Sequence, residues 1–425
     1  MRILWLVNKV IPCVAEAMGR PVVTVNEGWI SQMFDQFCAL SNYSMCIVCG
    51  DSVSTIGSSP KFEWATYEET RESESNYVPS QKQYFCELLA KYQPDLIHVW
   101  GSEYPHTLAM VHAATELQMQ NRVVVSLQGV ISVIASFYTS GLSQSVVKYR
   151  TLFDRIRRTN IEDQQQQFVR RGVCEVDAIQ RVKHVIGRTE WDHHVAQLYN
   201  PDICYHFCNE TLRVPFYERK WDYSTCQKHR IFISQATYPI KGFHLFLEIL
   251  PALVARYPDI EVYIAGADLT DSSSWLNRLK RSSYGHYLKQ RIESLGVRSK
   301  LHFLGRMHAE AMRDQYLQAN LFLSSSVIEN SPNSVGEAML LGTPVITSDV
   351  GGVRSIIQTP QEGLSYKWYD LDAMYRCVCD VFDHPQMAIS RAELARCHAM
   401  QTHDAEVNFN CMRQIYTKII EINTK

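Results

Sequence analysis

The chain has 425 residues, enough for two large domains, because a single hydrophobic core stops growing well below that length. Its 42 basic and 44 acidic side chains leave a formal net charge of −2, which excludes the overall basic field of a nucleic-acid binder and the acidic tract of a disordered tail. No apolar run reaches the ~18 residues of a membrane span, and thirteen cysteines without a regular framework are expected to be free thiols in a reducing cytoplasm.

The opening MRILWLVNKV reads as a strand with no cationic leader. Residues 3–7 form a short apolar run, 29–40 a helical pattern and 45–49 a second strand. The polar segment 52–79 reads as a long excursion. Strands are expected at 96–100 and 123–127, with a helical pattern at 107–116 between them, and again at 182–186 and 203–207. Short β-rich runs alternating with helices imply a parallel sheet covered on both faces.

After Trp221 the pattern restarts, with strands at 231–234, 261–265, 301–304, 321–325 and 344–347 and a helix at 243–256. The fold class is therefore α/β, with two doubly wound Rossmann-like domains joined near 215–228 and facing across a cleft. Open sheets of this kind bind ligands at the C-terminal ends of their strands. The expected organisation is a first domain over 1–217, a second over 218–404, and a C-terminal helix over 405–425 that packs back on the first.

One stretch carries most of the chemistry. SSSVIENSPNSVGEAMLLGTPVITSDVGG (324–352) sets Glu329 and Glu337 around a Ser-Pro-Asn-Ser turn. Ser334-Val-Gly-Glu337 fits a capping box, and Ser331-Pro332 fits an N-cap followed by proline. A capping role leaves Glu329 unexplained, since it stands just past a strand end. Between the two glutamates lie the amides of Asn333 and Ser334, at a helix N-terminus that attracts phosphate. Carboxylates accept pairs of hydroxyl hydrogen bonds, so the stretch suits a ligand with a phosphate centre and hydroxyls on either side, as in a nucleotide-sugar.

The E-x7-E spacing, the Pro-Asn-Ser turn, EAM, GTPVI and the trailing SDVGG closely resemble the family 4 glycosyltransferases, retaining enzymes of the GT-B fold. VYIAG (262–266), LHFLGRM (301–307) and ANLFLSSS (319–326) are similar to that family's donor half, and DLIHVWGSE (95–103) matches its N-terminal half more loosely. The resemblance implies that Glu329 holds hydroxyls of the donor sugar, Glu337 holds the ribose, and the amides of Asn333 and Ser334 hold the diphosphate. In SQATYPIKG (234–242), Lys241 takes the place of a family lysine that neutralises the leaving diphosphate, with no metal required.

Departures from the family pattern fall beside these matches. Ala236 stands where an arginine is expected, which makes Arg306 in the FLGR loop a substitute cation or a base contact. The glycine loop VNEGWI keeps Gly28 but has Glu27 for the other glycine, placing Glu27 on the acceptor side. Gln128, before Gly129, replaces a histidine. It cannot carry a proton at neutral pH, which fits a front-face displacement in which the leaving phosphate takes the acceptor proton and the protein positions the reactants. Glu103 and Arg188 are further acceptor-side candidates. Asn209 and Arg213 lie in the segment that closes the first domain.

Other signals read as structural. Asp370-Leu-Asp372 sits at a helix start, where acidic residues are favoured in any case. Cys204-x-His206-x-Cys208, with His193 and His194 nearby, reads as core rather than as zinc ligands, because one strand lays its alternate side chains side by side. Cys46 and Cys49 point to opposite faces of a strand. In 146–158, Tyr149, Leu152, Phe153 and Ile156 recur at helical spacing with basic residues around them. Such a stripe packs on a core or, as the lesser expectation, rests at the inner face of a membrane.

The resulting expectation is a cytoplasmic, retaining, hexosyl-type transferase. It moves a sugar from a UDP- or GDP-linked donor to a saccharide or lipid-linked acceptor, without nucleic acid as a partner. The alternatives are an epimerase or hydrolase of sugar nucleotides on the same fold, and a non-catalytic nucleotide-sugar-binding subunit.

Overall fold

In the computed structural model, residues 1–21 and 28–424 are described. The chain divides into two units: 1–135, 167–211 and 403–425 form the first, and 136–166 with 212–402 form the second. Segment 136–166, read from the sequence as part of the first domain, clusters with the second unit. Its anchors are specific: His244 Nε2 lies 3.2 Å from the carbonyl of Ser140, Tyr149 stacks on His286, and the amide of Ser283 donates to Asp154 at 2.8 Å.

The first unit is built on β1 (Arg2–Val7), β2 (Ser44–Asp51), β3 (Thr55–Ser58), β4 (Phe62–Glu68), β5 (Leu96–Trp100), β6 (Val123–Ser126), β7 (His184–Gly187) and β8 (Cys204–Phe207). Their order in the sheet is β3-β4-β2-β1-β5-β6-β7-β8, parallel throughout except for the β3–β4 hairpin. Strands β1, β5 and β6 are almost wholly buried, as expected where helices cover both faces of a parallel sheet. The excursion expected at 52–79 in fact contains β3 and β4. Trp64, Ala65 and Tyr67 are buried there, and β4 pairs in parallel with β2 from Met45–Phe62 to Asp51–Glu68. Its interspersed Glu63 and Thr66 hide the strand from a hydropathy reading.

The C-terminal helix Ala405–Thr424 does pack on the first unit. Met412, Ile415, Tyr416 and Ile419 enter the core on the face shared by Trp5, Phe34 and Phe37. Tyr416 stacks on Phe37, and its hydroxyl meets His98 Nδ1 at 2.5 Å.

The second unit carries β9 (Arg230–Ile233), β10 (Glu261–Ile264), β11 (Leu301–Phe303), β12 (Leu321–Ser324), β13 (Val345–Ser348) and β14 (Leu364–Tyr366), all parallel, in the order β11-β10-β9-β12-β13-β14. The edge strand β14 is only three residues long and escapes a periodicity reading. The helix expected at 243–256 spans Phe243–Arg256, and its N-terminal Gly242 adopts φ 66°.

The single helix implied at 146–158 is instead two, Gln144–Lys148 and Leu152–Arg157. Tyr149 is extended, and Thr151 with Asp154 forms a capping box that starts the second helix afresh. The apolar stripe is not continuous, and it does not face a core: Leu152 is 68% exposed and Ile156 82%. Asp370 caps the helix Leu371–Asp383 by accepting from the amide of Ala373 at 2.8 Å, in keeping with a structural role for Asp370-Leu-Asp372. All thirteen cysteines are free thiols. Among the described residues no helix is long and apolar enough to cross a membrane.

Candidate functional site

The loop between β12 and the helix Asn333–Leu341 carries Glu329, and two turns hold it from either side. The amide of Val327 donates to the Ile240 carbonyl at 2.8 Å, and Ser325 Oγ donates to the Lys241 carbonyl at 2.9 Å. Gly242 packs so close that a Cβ there would sit 1.9 Å from the Ser325 carbonyl oxygen. On the other side the amide of Gly352 donates to the Glu329 carbonyl at 3.1 Å, and a Cβ on Gly351 (φ 50°) would lie 2.0 Å from that oxygen. Glycine is required at both positions by conformation and by contact. The Lys-Gly and Gly-Gly pairs of the sequence are thus parts of one support.

That support brings two of the expected residues together. Lys241 Nζ pairs with Glu329 Oε1, and Ser326 Oγ donates to the same oxygen at 2.7 Å. Both charged side chains are partly exposed. Asn333 and Ser334 open the next helix, at its positive dipole end. A carboxylate, an ammonium and a helix N-terminus therefore stand within one short run of chain, donors for an anion beside acceptors for hydroxyls.

Glu337 differs from its expected setting. The helix starts with Pro332 at the N-cap and no side-chain capping bond. Neither the Ser334–Glu337 box nor the Ser331 N-cap forms. The Glu337 carboxylate is buried and takes a bidentate pair from Arg213, Nε to Oε1 at 2.7 Å and Nη2 to Oε2 at 2.8 Å. Burial pushes this carboxyl above its ordinary range, although Arg213 pulls the other way. Arg306 is exposed on the loop after β11, and Ala236 is buried after β9.

The first unit gathers its own candidates at the C-terminal ends of β5, β6 and β7. Gln128 Nε2 donates to Glu210 Oε1 at 2.5 Å, and Arg188 Nη1 donates to Glu210 Oε2 at 2.7 Å. Arg188 Nη2 also reaches Gln128 Oε1 at 3.4 Å, closing a triangle that fixes the amide's orientation. Glu210 is the residue that sequence reasoning missed; it sits beside Asn209 in a segment with no periodic or motif signal of its own. Glu103 accepts from the amide of Gly129 at 2.9 Å, next to Gln128. Glu27 lies outside the described residues, and Gly28 begins the helix Gly28–Cys38.

Burial, reinforced by the nearby Glu175 carboxylate, raises Glu103 to about 7. A carboxyl raised in the fold binds more protons than its unfolded counterpart between the ordinary glutamate range and that value, so stability falls as pH rises across the window. Glu103→Gln is expected to flatten this slope and to gain stability relative to the wild type at pH 8 but not at pH 4.5. Denaturation midpoints measured at the two pH values check it; a slope unchanged in the variant assigns the effect elsewhere.

Comparison with known proteins adds the family context. Residues 220–395 match the family of glycosyl transferases group 1. The chain is 29% identical over 162 residues to D-inositol 3-phosphate glycosyltransferase of Corynebacterium urealyticum, which covers 38% of this chain and 36% of that protein. It is 27% identical over 148 residues to mannosylfructose-phosphate synthase of Agrobacterium fabrum, covering 35% and 31%. These matches span about a third of the length of the curated relatives. Among solved structures, sucrose-phosphate synthase from Thermosynechococcus elongatus superposes with a TM-score of 0.70 at 16% identity, over 99% of both chains. HepE from Anabaena in complex with UDP-glucose gives 0.66 at 14% identity, over 98% of this chain and all (100%) of the other. The fold of the two Rossmann-like units is GT-B.

Proposed function

We propose that the chain is a retaining glycosyltransferase of family 4 that moves a hexose-type sugar from a UDP- or GDP-linked donor to a saccharide or glycolipid acceptor in polysaccharide or glycoconjugate synthesis. The observation that carries this is the Lys241–Glu329–Ser326 cluster at the mouth of the helix Asn333–Leu341. HepE from Anabaena, a solved structure of the same fold, is in complex with UDP-glucose. In this reading Glu329 binds donor-sugar hydroxyls, Lys241 and the amides of Asn333 and Ser334 receive the diphosphate, and Arg306 adds charge or meets the base. Glu337 accepts ribose hydroxyls with the lone pairs that Arg213 leaves open. No metal is needed, because the lysine and the helix dipole carry the leaving charge. Gln128, held by Glu210 and Arg188, positions rather than deprotonates, and the departing phosphate oxygen takes the acceptor proton.

The test is a panel of nucleotide-sugars incubated with the protein, with and without saccharide acceptors. Acceptor-dependent release of nucleoside diphosphate, with the anomeric configuration kept in the product, is expected. Release or isomerisation without acceptor would indicate a hydrolase or epimerase, and binding without turnover a carrier subunit; either result rejects the transferase reading.

We also propose that the second unit rests on an anionic bilayer surface through 146–158. Leu152 and Ile156 project outward beside Arg155, Arg157 and Arg158. In the same unit the helix Trp275–Leu279, which precedes the Ser283 that bonds Asp154, exposes Trp275, Leu276 and Leu279. Apolar side chains ringed by arginine suit an interface of acyl chains under anionic headgroups. The protein is expected to sediment with phosphatidylglycerol vesicles and not with phosphatidylcholine alone. Leu152→Asp/Ile156→Asp should abolish sedimentation without changing thermal stability; unaltered binding would rule this surface out.

A further inference from the structure

A cluster of metal-ligand side chains lies on the first unit's sheet, apart from every residue assigned above. Strands β7 and β8 pair in parallel with His184 opposite Cys204 and Ile186 opposite His206. That register puts His184, Cys204 and His206 on one face, at the free edge of the sheet. One ligand atom from each lies within 4.8 Å of the others, and His184 Nδ1 is 3.1 Å from His206 Nε2. Two imidazole nitrogens on a tetrahedral zinc ion stand roughly 3.3–3.4 Å apart, as follows from Zn–N bonds of about 2.0–2.1 Å. We propose that His184, Cys204 and His206 form a three-ligand site for a soft divalent cation of the zinc class, with solvent in the fourth position.

The setting of Cys204 supports the site. Lys183 and Lys418 lie near these imidazoles. Cys204 is partly exposed at the edge strand, which gives an ion a way in and gives the released thiol proton a way out. Its thiolate supplies the negative charge that offsets the two lysines, and sulfur with imidazole selects zinc-like over magnesium-like ions. Cys208 does not join this set: its Sγ turns to the carbonyl of Asn408. A ligand set confined to β8 would lie in a row; β7 makes it a triangle.

The ion would cross-link β7 to the edge strand. The test uses the full chain, stripped with chelator and titrated with Co²⁺ as the spectroscopic substitute for Zn²⁺. One Co²⁺ per chain is expected, with a thiolate-to-cobalt charge-transfer band that Zn²⁺ displaces, and Zn²⁺ should raise the melting temperature reversibly. Cys204→Ser should remove the band, and His206→Gln should weaken Co²⁺ binding at least about tenfold, with far-ultraviolet circular dichroism confirming that both variants are folded. Absence of the band in the wild type overturns the proposal. So does a band that survives Cys204→Ser, since twelve other cysteines could then be responsible.

Discussion

Glu329→Gln is expected to lower the rate of sugar transfer by about 10²–10³-fold, the scale seen when one preorganised polar contact to a transition state is removed, while donor affinity changes only a few-fold. Glutamine keeps the shape of the side chain and one acceptor oxygen, so the loop fixed by Gly242 and Gly351 should stay in place. What is lost is the charge that pairs with Lys241 and accepts from Ser326. In the free protein that charge holds the lysine; under the proposed function, a bound donor would draw the lysine to its diphosphate and the carboxylate to its sugar hydroxyls. The exchange of partners is the reason to expect a rate effect larger than a binding effect. Initial rates and calorimetric donor binding on the same preparation separate the two. Equal losses in both would make Glu329 a ground-state contact, and full activity would remove it from the site.

Arg213→Met is expected to destabilise the protein by about 3–5 kcal/mol at neutral pH, because it strands a buried carboxylate. The Glu337 carboxyl is already raised with its arginine in place. Without the guanidinium it should rise further. An acid whose folded pKa exceeds its unfolded value stabilises the fold only while protonated in both states, and that contribution is lost as pH rises from the unfolded value through the folded one. The deficit of Arg213→Met should therefore be smaller at pH 5 than at pH 7.5, and Arg213→Met/Glu337→Gln should recover much of it. Urea denaturation at both pH values reads this directly. A deficit independent of pH would show that Arg213 acts through packing on Phe216 rather than through charge. The same series bears on donor binding, since Glu337→Gln alone should chiefly weaken nucleotide affinity.

The parts of the molecule that were legible in the sequence are those governed by local rules. Buried parallel strands announce themselves as short apolar runs, and the two alternations of strand and helix gave the two sheets. Lys241 and Glu329 stood out in the sequence because Lys241 precedes a glycine forced by close packing and Glu329 lies in a stretch that ends on another. The Arg213 partnership of Glu337 did not. Local spacing offered a capping box, and a residue 124 positions away supplied a stronger partner. Strand β4 was hidden because its charged residues alternate with aromatic ones, and the break at Tyr149 because a Thr-x-x-Asp start signal overrode a continuous apolar period. Glu210 and His184 share a further reason: their significance arises from strand neighbours, and lateral register is not written in either strand alone.

The division of the polypeptide has a consequence for how the protein is made. The first unit takes its last core residues, Met412, Ile415, Tyr416 and Ile419, from the end of the chain, and the second takes 136–166 from within the first half. Neither unit is therefore a continuous stretch that can close behind the ribosome as it emerges. The β1–β5 face must wait, with Trp5 and Phe37 uncovered, until Met412, Ile415, Tyr416 and Ile419 have been translated. Truncating the final helix should accordingly be felt at the opposite end of the sequence, in the solubility of the newly made first unit.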